Sequence, residues 1–271
     1  MKTRTRTAVP RIERAGEWLF EAHRARARFA PLPTELAPRS VDEAYAIQSE
    51  YAGMRAKTLG QVTGYKIALT TPAMRAMVGM NDSIAGDILD KTILRGNSRV
   101  RAADYVRLIV EFEIAFDLAE DLPAIGAPYD RKRVAQAVAA VMPALELADD
   151  RDADYAQLPG NALSLIADNA WNEGAVLGKP VRDWQEIDLG AIKGTAFING
   201  QNVGEGHGRD VMGHPLDALA WLTNHLAARG LGLWRGDVVI TGSLVTSKFP
   251  KAGDLVRFEA GELAAVELQV D

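Results

Sequence analysis

The sequence predicts an α+β fold in which a helical N-terminal region precedes a larger region rich in strands. The first sixty residues place apolar side chains at helical spacing. Beyond Gly60 the chain changes to short alternating segments separated by glycines, with few helices. Helices and strands are therefore segregated along the chain, whereas a doubly wound parallel sheet requires them to alternate. We expect an N-terminal helical region over residues 1–60 and a strand-rich domain over residues 61–271.

The N-terminal region contains two predicted helices. The first covers residues 11–29, which are rich in alanine, arginine and glutamate. Residues 30–38 contain three prolines and predict a connection. Ser40 stands three residues before Glu43, and this capping pattern predicts a second helix that ends at about Leu59.

The second region contains most of the predicted strands. A helix over residues 131–141, which Pro143 would stop, and a helix from His214 to Arg229 interrupt them. The dipeptide Asn199-Gly200 predicts a tight hairpin. The strand candidates are residues 61–69, 108–118, 144–148, 191–198, 238–241 and 255–259.

Composition limits the class of partner. The formal net charge of −5 argues against a nucleic-acid-binding protein. The chain has no cysteine, which excludes disulfides and thiolate catalysis and fits a reducing compartment. No apolar run approaches the ~18 residues of a membrane span, and the basic N-terminus lacks the apolar segment of a secretory signal. We therefore expect a cytoplasmic protein that binds neither nucleic acid nor membrane.

Two glutamates on one predicted strand are the most informative feature of the chain. In residues 108–118 the apolar side chains alternate, so Glu111 and Glu113 share the opposite face. Like charges on one face repel each other unless a cation lies between them, and a divalent metal is the simplest such cation. A sheet with one solvated face is the alternative, because a Glu-x-Glu pair is ordinary there.

A third carboxylate favours the metal. Glu146 lies on a short predicted strand between Ala144 and Ala148, which share its face and leave room for an ion or ligand. Three carboxylates supply only oxygen ligands, a set that favours Mg²⁺ or Mn²⁺ over zinc. Zinc is further disfavoured because the chain has four histidines and no cysteine.

Lys66 is a single cation in an apolar predicted strand, on the face opposite Tyr65 and Ile67. A lysine there would neutralise an anionic substrate. It would also transfer protons if burial and a nearby metal lowered its pKa. An exposed strand lysine without a chemical role is the more ordinary interpretation of this pattern taken by itself.

Short motifs in a fixed order carry a family resemblance. The sequence resembles the hydratase/decarboxylase branch of the fumarylacetoacetate hydrolase superfamily. The resemblance spans nearly the whole chain. Its motifs are Ala44-Tyr-Ala-Ile-Gln48, Gly64-Tyr-Lys-Ile-Ala-Leu-Thr70, Glu111-Phe-Glu113, Pro143-Ala-Leu-Glu146, Ala167-Asp-Asn-Ala170, Gly213-His-Pro-Leu216 and Thr241-Gly242.

The resemblance implies a mixed β-roll with an N-terminal helical region. It implies that Glu111, Glu113 and Glu146 bind Mg²⁺ or Mn²⁺, which chelates the carboxylate and 2-oxo oxygens of a short 2-oxo acid. It also implies that Lys66 is the active-site lysine of this branch.

Further site residues follow from the same resemblance. Asp168 is expected to act in catalysis by orienting the metal shell or a metal-bound water, with the capping of a turn as the alternative. Substrate contacts are expected from Leu69, Asn169, Thr241 and Gly242.

Three positions depart from the pattern of the branch. Hydratases usually carry an aspartate two residues before the glycine of the loop that follows the lysine, and Ile84 stands there. Asp82, two residues away, is the candidate replacement for this catalytic acid. Ala68 replaces a glycine of the lysine motif, and Trp171 replaces a small residue, which predicts an altered substrate pocket.

The resemblance implies a divalent-metal-dependent lyase acting on an unsaturated 2-oxo acid. The first expectation is a hydratase that converts a 2-hydroxy-2,4-dienoate into a 4-hydroxy-2-oxo acid. The alternative is a decarboxylase of a 2-oxo-3-enedioate, because Ile84 removes a proton-transfer group. A third possibility is a non-catalytic 2-oxo-acid-binding or partner subunit. We expect a homo-oligomer that also associates with a sister lyase of the same family.

Overall fold

The computed structural model of the protein describes residues 10–271. Within this range its α-helices are α1 Arg11–Arg24, α2 Val41–Leu59, α3 Pro72–Val78, α4 Arg131–Ala137, α5 Ala162–Ala167 and α6 Pro215–Ala228. Its strands are β1 Val62–Ala68, β2 Ile84–Leu89, β3 Ile93–Arg95, β4 Ser98–Val100, β5 Leu108–Leu118, β6 Val138–Asp149, β7 Asn172–Leu177, β8 Lys193–Ile198, β9 Gln201–His207, β10 Val238–Lys248, β11 Leu255–Ala260 and β12 Ala265–Val270.

The strands form two mixed sheets that pack face to face. A seven-stranded sheet has the order β2-β1-β10-β5-β6-β7-β3, and a five-stranded sheet has the order β4-β12-β11-β8-β9. Phe112 on β5 meets Phe258 on β11 between the sheets, with ring centroids 5.6 Å apart, and both side chains are fully buried. The larger sheet curls strongly enough for β2 to contact β7, although four strands separate them in the sheet order.

The curl gives β5 two buried faces. On one face Phe112 and Ile114 join the main core. On the other, Ala115 belongs to a separate apolar cluster whose members all lie on the curled sheet. Because side chains alternate along a strand, Glu111 and Glu113 share the inner face with Ala115. The inside of the curl is therefore apolar at one end of β5 and acidic at the other.

The segment before Glu146 corrects the sequence prediction. We predicted a helix over residues 131–141 and a strand over residues 144–148. The helix instead ends at Ala137, and β6 covers twelve residues from Val138. Intrinsic helix propensity in this alanine-rich segment is overridden because β6 pairs with β5 along its whole length. Pro143 fits inside the strand because its carbonyl faces the amide of Gly178, so its missing N–H also points away from β5.

The two N-terminal helices pack directly on the sheet region. Helix α1 ends at Arg24, five residues before the predicted end. Ser40 caps α2 as predicted, since its hydroxyl accepts a hydrogen bond from the amide of Glu43. Gln48 on α2 donates to the carbonyls of Ala85 and Ile166. One continuous apolar core includes residues of α1, α2 and β1, so a division of the chain at residue 60 separates no independent core.

The predicted hairpin turn is confirmed, and both ends of α6 have regular helix-end geometry. Asn199 and Gly200 join β8 to β9 with φ angles of 52° and 76°, as a two-residue hairpin turn requires. His214 caps α6 through Nδ1, which accepts from the amide of Leu216 at 3.1 Å. Gly230, with φ of 73°, follows the end of this helix. Among residues 10–271, no helix combines the length and apolar character needed to cross a membrane.

Candidate active site

Antiparallel pairing of β5 with β6 assembles an acidic cluster. Glu111 is directly opposite Glu146 in the register, and Glu113 lies two residues further along β5 on the same face. Each of the three carboxylates contributes one oxygen to a group whose members all lie within 4.8 Å of one another. Glu113 and Glu146 are fully buried, whereas Glu111 is half-buried. We call these three residues the glutamate cluster.

Neighbouring elements satisfy only part of the hydrogen-bonding capacity of the cluster. Each carboxylate accepts a hydrogen bond from a different residue outside β5 and β6: Gly242 N–H to Glu113 at 2.7 Å, Asn172 Nδ2 to Glu146 at 2.9 Å and Ser247 Oγ to Glu111 at 2.5 Å. The second oxygens of Glu113 and Glu146 are buried without any hydrogen-bond partner. Because unpaired buried polar atoms are costly, these two oxygens indicate a missing cation.

The electrostatics of the cluster lead to the same inference. Burial, together with the charges of Glu146 and Glu111, raises the pKa of Glu113 well above its usual range. Burial, reinforced by Glu111 and opposed by Lys66, raises the pKa of Glu146 to about 7. A divalent cation would relieve both the repulsion and the unpaired oxygens, and all-oxygen coordination suits Mg²⁺ or Mn²⁺. The residues therefore fit the metal that the sequence predicts.

Lys66 projects into the same interior from β1. Its ammonium nitrogen lies 2.9 Å from Glu146 Oε1 and 3.4 Å from the carbonyl oxygen of Ala170. The side chain is only 3% exposed, so the exposed-lysine interpretation is wrong. Burial opposes its charge, but the carboxylates of Glu146 and Glu111 outweigh burial and raise the pKa of Lys66. The carboxylates alone therefore favour the ammonium form of Lys66, and the lowering of its pKa by a bound metal stays a prediction.

An irregular turn lies on the other side of Lys66. Asn169, Ala170 and Trp171 have consecutive φ angles of 54°, 46° and 62°. This left-handed conformation costs each non-glycine residue roughly 1–2 kcal/mol, so it persists only where the surrounding structure holds it. We call residues 169–171 the left-handed turn.

Side-chain contacts on both sides hold the turn. Asn169 makes two bonds to the backbone of Asp87 on β2, accepting from its amide at 2.7 Å and donating to its carbonyl at 2.9 Å. The preceding residue, Asp168, is fixed by His23 Nε2 at 2.6 Å and by Arg151 Nη2 at 2.5 Å. Elements distant in sequence thus fix the residues that begin the turn.

The left-handed turn positions Lys66 and Glu146. The carbonyl of Ala170 contacts the ammonium group of Lys66, and Asn172, directly after the turn, donates to Glu146. Trp171 lies between Ala170 and Asn172 in the chain. The strained segment therefore holds the lysine and one glutamate at once.

A cavity of about 90 Å³ opens beside Lys66 and Glu111. Its remaining walls are largely apolar. They come from β1, β5, β6, α3, α5, the left-handed turn and the short helical segment Tyr155–Gly160. The residues that form them are Ala68, Leu69, Met74, Met77, Val78, Ile109, Ala148, Tyr155, Leu158, Leu165, Ala170 and Trp171. A larger cavity of about 370 Å³ lies between α1, α2 and Arg151. The smaller cavity borders Lys66 and Glu111 of the glutamate cluster, whereas the larger one borders neither.

Several predicted site residues lie elsewhere. Asp82 is exposed, accepts hydrogen bonds from Trp221 Nε1 and the amide of Ser83, and does not line the cavity. Its expected catalytic role therefore has no support in this structure. Ile84 is 1% exposed and packs in the core beside β1, also outside the cavity lining. Ile84 is paired with Ala68, which does line the cavity.

The predicted substrate contacts divide into two groups. Leu69 lines the cavity, as expected. Both ends of the Asn169 side-chain amide are hydrogen-bonded to the backbone of Asp87. Thr241 donates to the carbonyl of Ile114 at 3.0 Å, and the amide of Gly242 donates to Glu113. These three residues support the turn and the cluster instead of lining the cavity.

The contacts of Asp168 also differ from those that we expected. Both of its oxygens are engaged by His23 and Arg151, and it belongs neither to the glutamate cluster nor to the cavity lining. We predicted that it orients a metal shell or a bound water. Its contacts make it an anchor for the left-handed turn, since it directly precedes that turn and is fully buried.

Four supporting residues were missed from the sequence. Ser247 would have emerged if the strand predicted at residues 238–241 had been extended, because β10 continues to Lys248. Asn172 follows the Ala167–Ala170 motif directly, but no pattern marks it as a partner of Glu146. His23 and Arg151 meet at Asp168 from distant parts of the chain, and nothing local in the sequence signals this.

Comparison with known proteins agrees with the fold and the cluster. The family described as fumarylacetoacetate (FAA) hydrolase C-terminal matches residues 75–271. A 2-hydroxyhexa-2,4-dienoate hydratase of Comamonas testosteroni is 33% identical over 90% of this chain and 91% of its own length. A 2-oxo-hept-4-ene-1,7-dioate hydratase of Escherichia coli is 29% identical over 92% of this chain and 93% of its own length.

A solved structure has the same architecture from end to end. It is 4-oxalocrotonate decarboxylase from Pseudomonas putida G7 complexed with magnesium and adipate. It matches with a TM-score of 0.88 at 24% identity and covers 100% of both chains. This likeness confirms the predicted α+β fold of the fumarylacetoacetate hydrolase type. With the family match over more than half of its length, the chain belongs to the fumarylacetoacetate hydrolase family.

Proposed function

We propose that this protein is a divalent-metal-dependent lyase of unsaturated 2-oxo acids. Its specific activity would be hydration of a 2-hydroxy-2,4-dienoate to a 4-hydroxy-2-oxo acid. The observation that carries this proposal is the buried glutamate cluster with Lys66 beside it, at the mouth of one small cavity. The name and the 33% identity of the Comamonas relative support the hydratase form of the activity.

Glu111, Glu113 and Glu146 are the residues that would hold Mg²⁺ or Mn²⁺. The unpaired buried oxygens of Glu113 and Glu146 support this assignment. A bound divalent ion supplies Lewis-acid stabilisation of negative charge on the 2-oxygen and carboxylate of a 2-oxo acid. Gly242, Asn172 and Ser247 would keep the carboxylates oriented, because each donates a hydrogen bond to one of them.

Lys66 would bind charge and move protons. Its amino group borders the substrate cavity beside Glu111, so in its charged form it can neutralise the anionic end of a dienoate. Ketonisation takes a proton from the 2-hydroxyl and adds one at carbon 5, which leaves a 2-oxo-3-enoate. Water then adds hydroxide at carbon 4 and a proton at carbon 3. We assign proton transfer in these steps to Nζ of Lys66.

The cavity offers few alternatives for this role. Among the described residues that line it, the titratable groups besides Lys66 are Glu111 and Tyr155. Glu111 belongs to the cluster, and the hydroxyl of Tyr155 donates to Asp150 at 2.7 Å. We therefore propose hydration without a dedicated aspartate, and with Lys66 as the proton carrier.

Decarboxylation of a 2-oxo-3-enedioate is the second candidate. The observation that favours it is Ile84, whose side chain cannot exchange protons, at the position where the family resemblance implies an aspartate for hydratases. Both reactions develop negative charge at the same 2-oxo acid group, so the glutamate cluster serves either.

Offering both substrates to the purified protein tests the proposal. With Mg²⁺ or Mn²⁺ present, we expect the ultraviolet absorbance of 2-hydroxypenta-2,4-dienoate to disappear and a 4-hydroxy-2-oxo acid to form. Carbon dioxide release from 2-oxo-3-hexenedioate, without dienoate hydration, would assign the decarboxylase activity instead. Turnover of neither substrate, with no metal bound, would leave a binding or partner subunit and overturn the lyase proposal.

The assembly and its location are part of the proposal. We propose a cytoplasmic homo-oligomer, as the family resemblance implies. Size-exclusion chromatography with light scattering measures the oligomer. Co-purification with a second lyase of the same family would support the proposed association with a sister enzyme.

A further inference from the structure

The cavity beside Lys66 has two chemically different ends. Lys66 and Glu111 form its polar end, while its other walls include the side chains of Met74, Leu158 and Trp171. The head of a 2-oxo acid fits the polar end, because its oxygens need the cation and the glutamate cluster. The tail of the same molecule then meets apolar walls.

No free cation in the described part of the chain lines the apolar end. Arg75 and Arg107 carry guanidinium groups near the lining residues, but neither lines the cavity. Arg75 donates to the carbonyl of Leu69, and Arg107 is paired with Asp150 and Asp152. A carboxylate at the end of the tail would lose its water without gaining a partner, which is strongly unfavourable. The cavity therefore selects an uncharged tail.

Trp171 is the largest side chain that lines this cavity. Its ring is only 8% exposed and contacts Phe29 and Tyr155 edge to face, with centroids 5.4 Å and 5.9 Å away. Two aromatic contacts of this geometry fix an indole ring firmly. The indole is therefore a rigid boundary of the space beside Lys66, unlike the flexible methionines on α3.

This tryptophan is also unfavourable for the fold. Its φ of 62° lies in the left-handed region, where a bulky residue is an outlier. Its indole N–H is buried without a hydrogen-bond partner. Two separate costs at one residue are expected where the side chain has a functional role, since strain concentrates at binding sites.

The size of the cavity limits the tail. The cavity beside Lys66 measures about 90 Å³, against about 370 Å³ for the cavity between α1 and α2. A long tail would have to displace wall side chains, of which the indole of Trp171 is the largest. The indole contacts Phe29 edge to face, so its displacement would disturb this aromatic contact.

We propose that Trp171 is the residue that restricts the substrate tail to a short, uncharged group. The inference rests on the dienoate hydratase activity proposed above and specifies its substrate. Trp171 acts by excluding volume, while Lys66 and the glutamate cluster handle the common head of every substrate. Chain-length preference and catalytic power therefore depend on different residues.

A series of 2-hydroxy-2,4-dienoates tests this proposal. The tails would be hydrogen, methyl and propyl, with 2-hydroxyhepta-2,4-diene-1,7-dioate as the charged member. For the wild-type enzyme we expect kcat/KM for the propyl and charged members to fall at least about tenfold below that for methyl, as one extra methylene does in a closed pocket. A wild-type preference for the charged or the propyl substrate would overturn the inference.

Substitution at position 171 makes the test specific. Trp171→Leu should raise the ratio of kcat/KM for propyl over methyl by about tenfold, and Trp171→Phe by less. A ratio measured within one variant is insensitive to loss of folded protein. Trp184→Leu is the matched control, because Trp184 is 5% exposed and lies outside the cavity lining. Equal ratios in wild type and Trp171→Leu, or the same shift in the control, would refute the role of Trp171.

A binding measurement separates this inference from the hydratase proposal. If the wild-type enzyme hydrates none of the dienoates, the hydratase proposal fails. Tail selection is then measured by calorimetry with Mg²⁺ and saturated 2-oxo acids, 2-oxopentanoate against 2-oxooctanoate. A gain in relative affinity for the longer acid in Trp171→Leu supports the inference, whereas unchanged relative affinity overturns it.

Discussion

The glutamate cluster and the left-handed turn meet at Lys66, yet they are built in opposite ways. The cluster lies on regular paired strands whose backbone is unstrained, and its instability is electrostatic. The turn has an unfavourable backbone; its own Asn169 ties it to the backbone of β2, and His23 and Arg151 hold the preceding Asp168. A metal would relieve the first kind of instability but not the second. Metal binding should therefore depend on the paired strands. The position of Lys66 should depend on the left-handed turn.

The largest effect is expected from the cluster itself. Glu113→Gln keeps an acceptor for the amide of Gly242 but removes a charged ligand. We expect stoichiometric Mg²⁺ binding to be lost and kcat/KM to fall about 10³-fold. The thermal midpoint of the metal-free variant should rise, because a buried carboxylate with a raised pKa and its repulsion from Glu146 are removed.

Calorimetric metal titration and thermal unfolding check this prediction. Glu205→Gln is the control, because that glutamate pairs with Lys193 on the surface. Retention of metal binding at wild-type affinity in Glu113→Gln would show that Glu113 is no ligand.

A smaller effect is expected at Lys66. Lys66→Ala should lower kcat by at least about 100-fold, the usual contribution of a positioned proton-transfer group. Mg²⁺ affinity should change little, since the lysine lies beside the cluster without belonging to its oxygen ligands. Lys193→Ala removes an exposed lysine and should leave kcat unchanged. Wild-type kcat in Lys66→Ala would remove Lys66 from the mechanism.

The anchor of the turn should affect stability and turnover while sparing the metal. Asp168→Asn leaves Arg151 buried without its charged partner, and breaking such a pair costs about 3–5 kcal/mol. Because the turn would lose its hold on Lys66, we also expect kcat of the folded enzyme to fall about tenfold at low temperature. Mg²⁺ affinity should stay near the wild-type value.

The matched control for Asp168 is another aspartate–arginine pair. Asp217→Asn breaks the exposed pair with Arg131 and should cost less than about 1 kcal/mol. An Asp168→Asn variant as stable and as active as this control would contradict the anchoring role.

The smallest effect is a pH dependence at His23. Burial opposes protonation of His23, but Asp168 and Glu173 outweigh burial and raise its pKa. A raised pKa in the folded state gives stability that is complete below pH 6.5 and is lost as pH rises through the folded-state pKa. His23→Gln should therefore flatten the fall in thermal midpoint above pH 6.5. A wild-type midpoint that rises across this range, or a variant that falls equally, would contradict the sign.

The same contrast explains what could be predicted from the sequence. The three glutamates emerged because strand alternation and small neighbours are local patterns. The end of helix α4 could not be predicted in this way, because pairing with β5 overrode the helix propensity of residues 138–141. Asp168 is hydrogen-bonded to His23, which is 145 residues away in the sequence. No local sequence pattern encodes such a contact. Asp82 failed as a candidate because its position along the chain does not reveal that its side chain faces solvent.

A crystal structure with Mn²⁺ tests the central claim most directly. Anomalous scattering locates manganese without reference to the protein coordinates. We predict one ion with an oxygen of each of Glu111, Glu113 and Glu146 at about 2.0–2.6 Å, and with Lys66 still held by the carbonyl of Ala170. An ion elsewhere, or any of the three carboxylates turned away from it, would contradict the account.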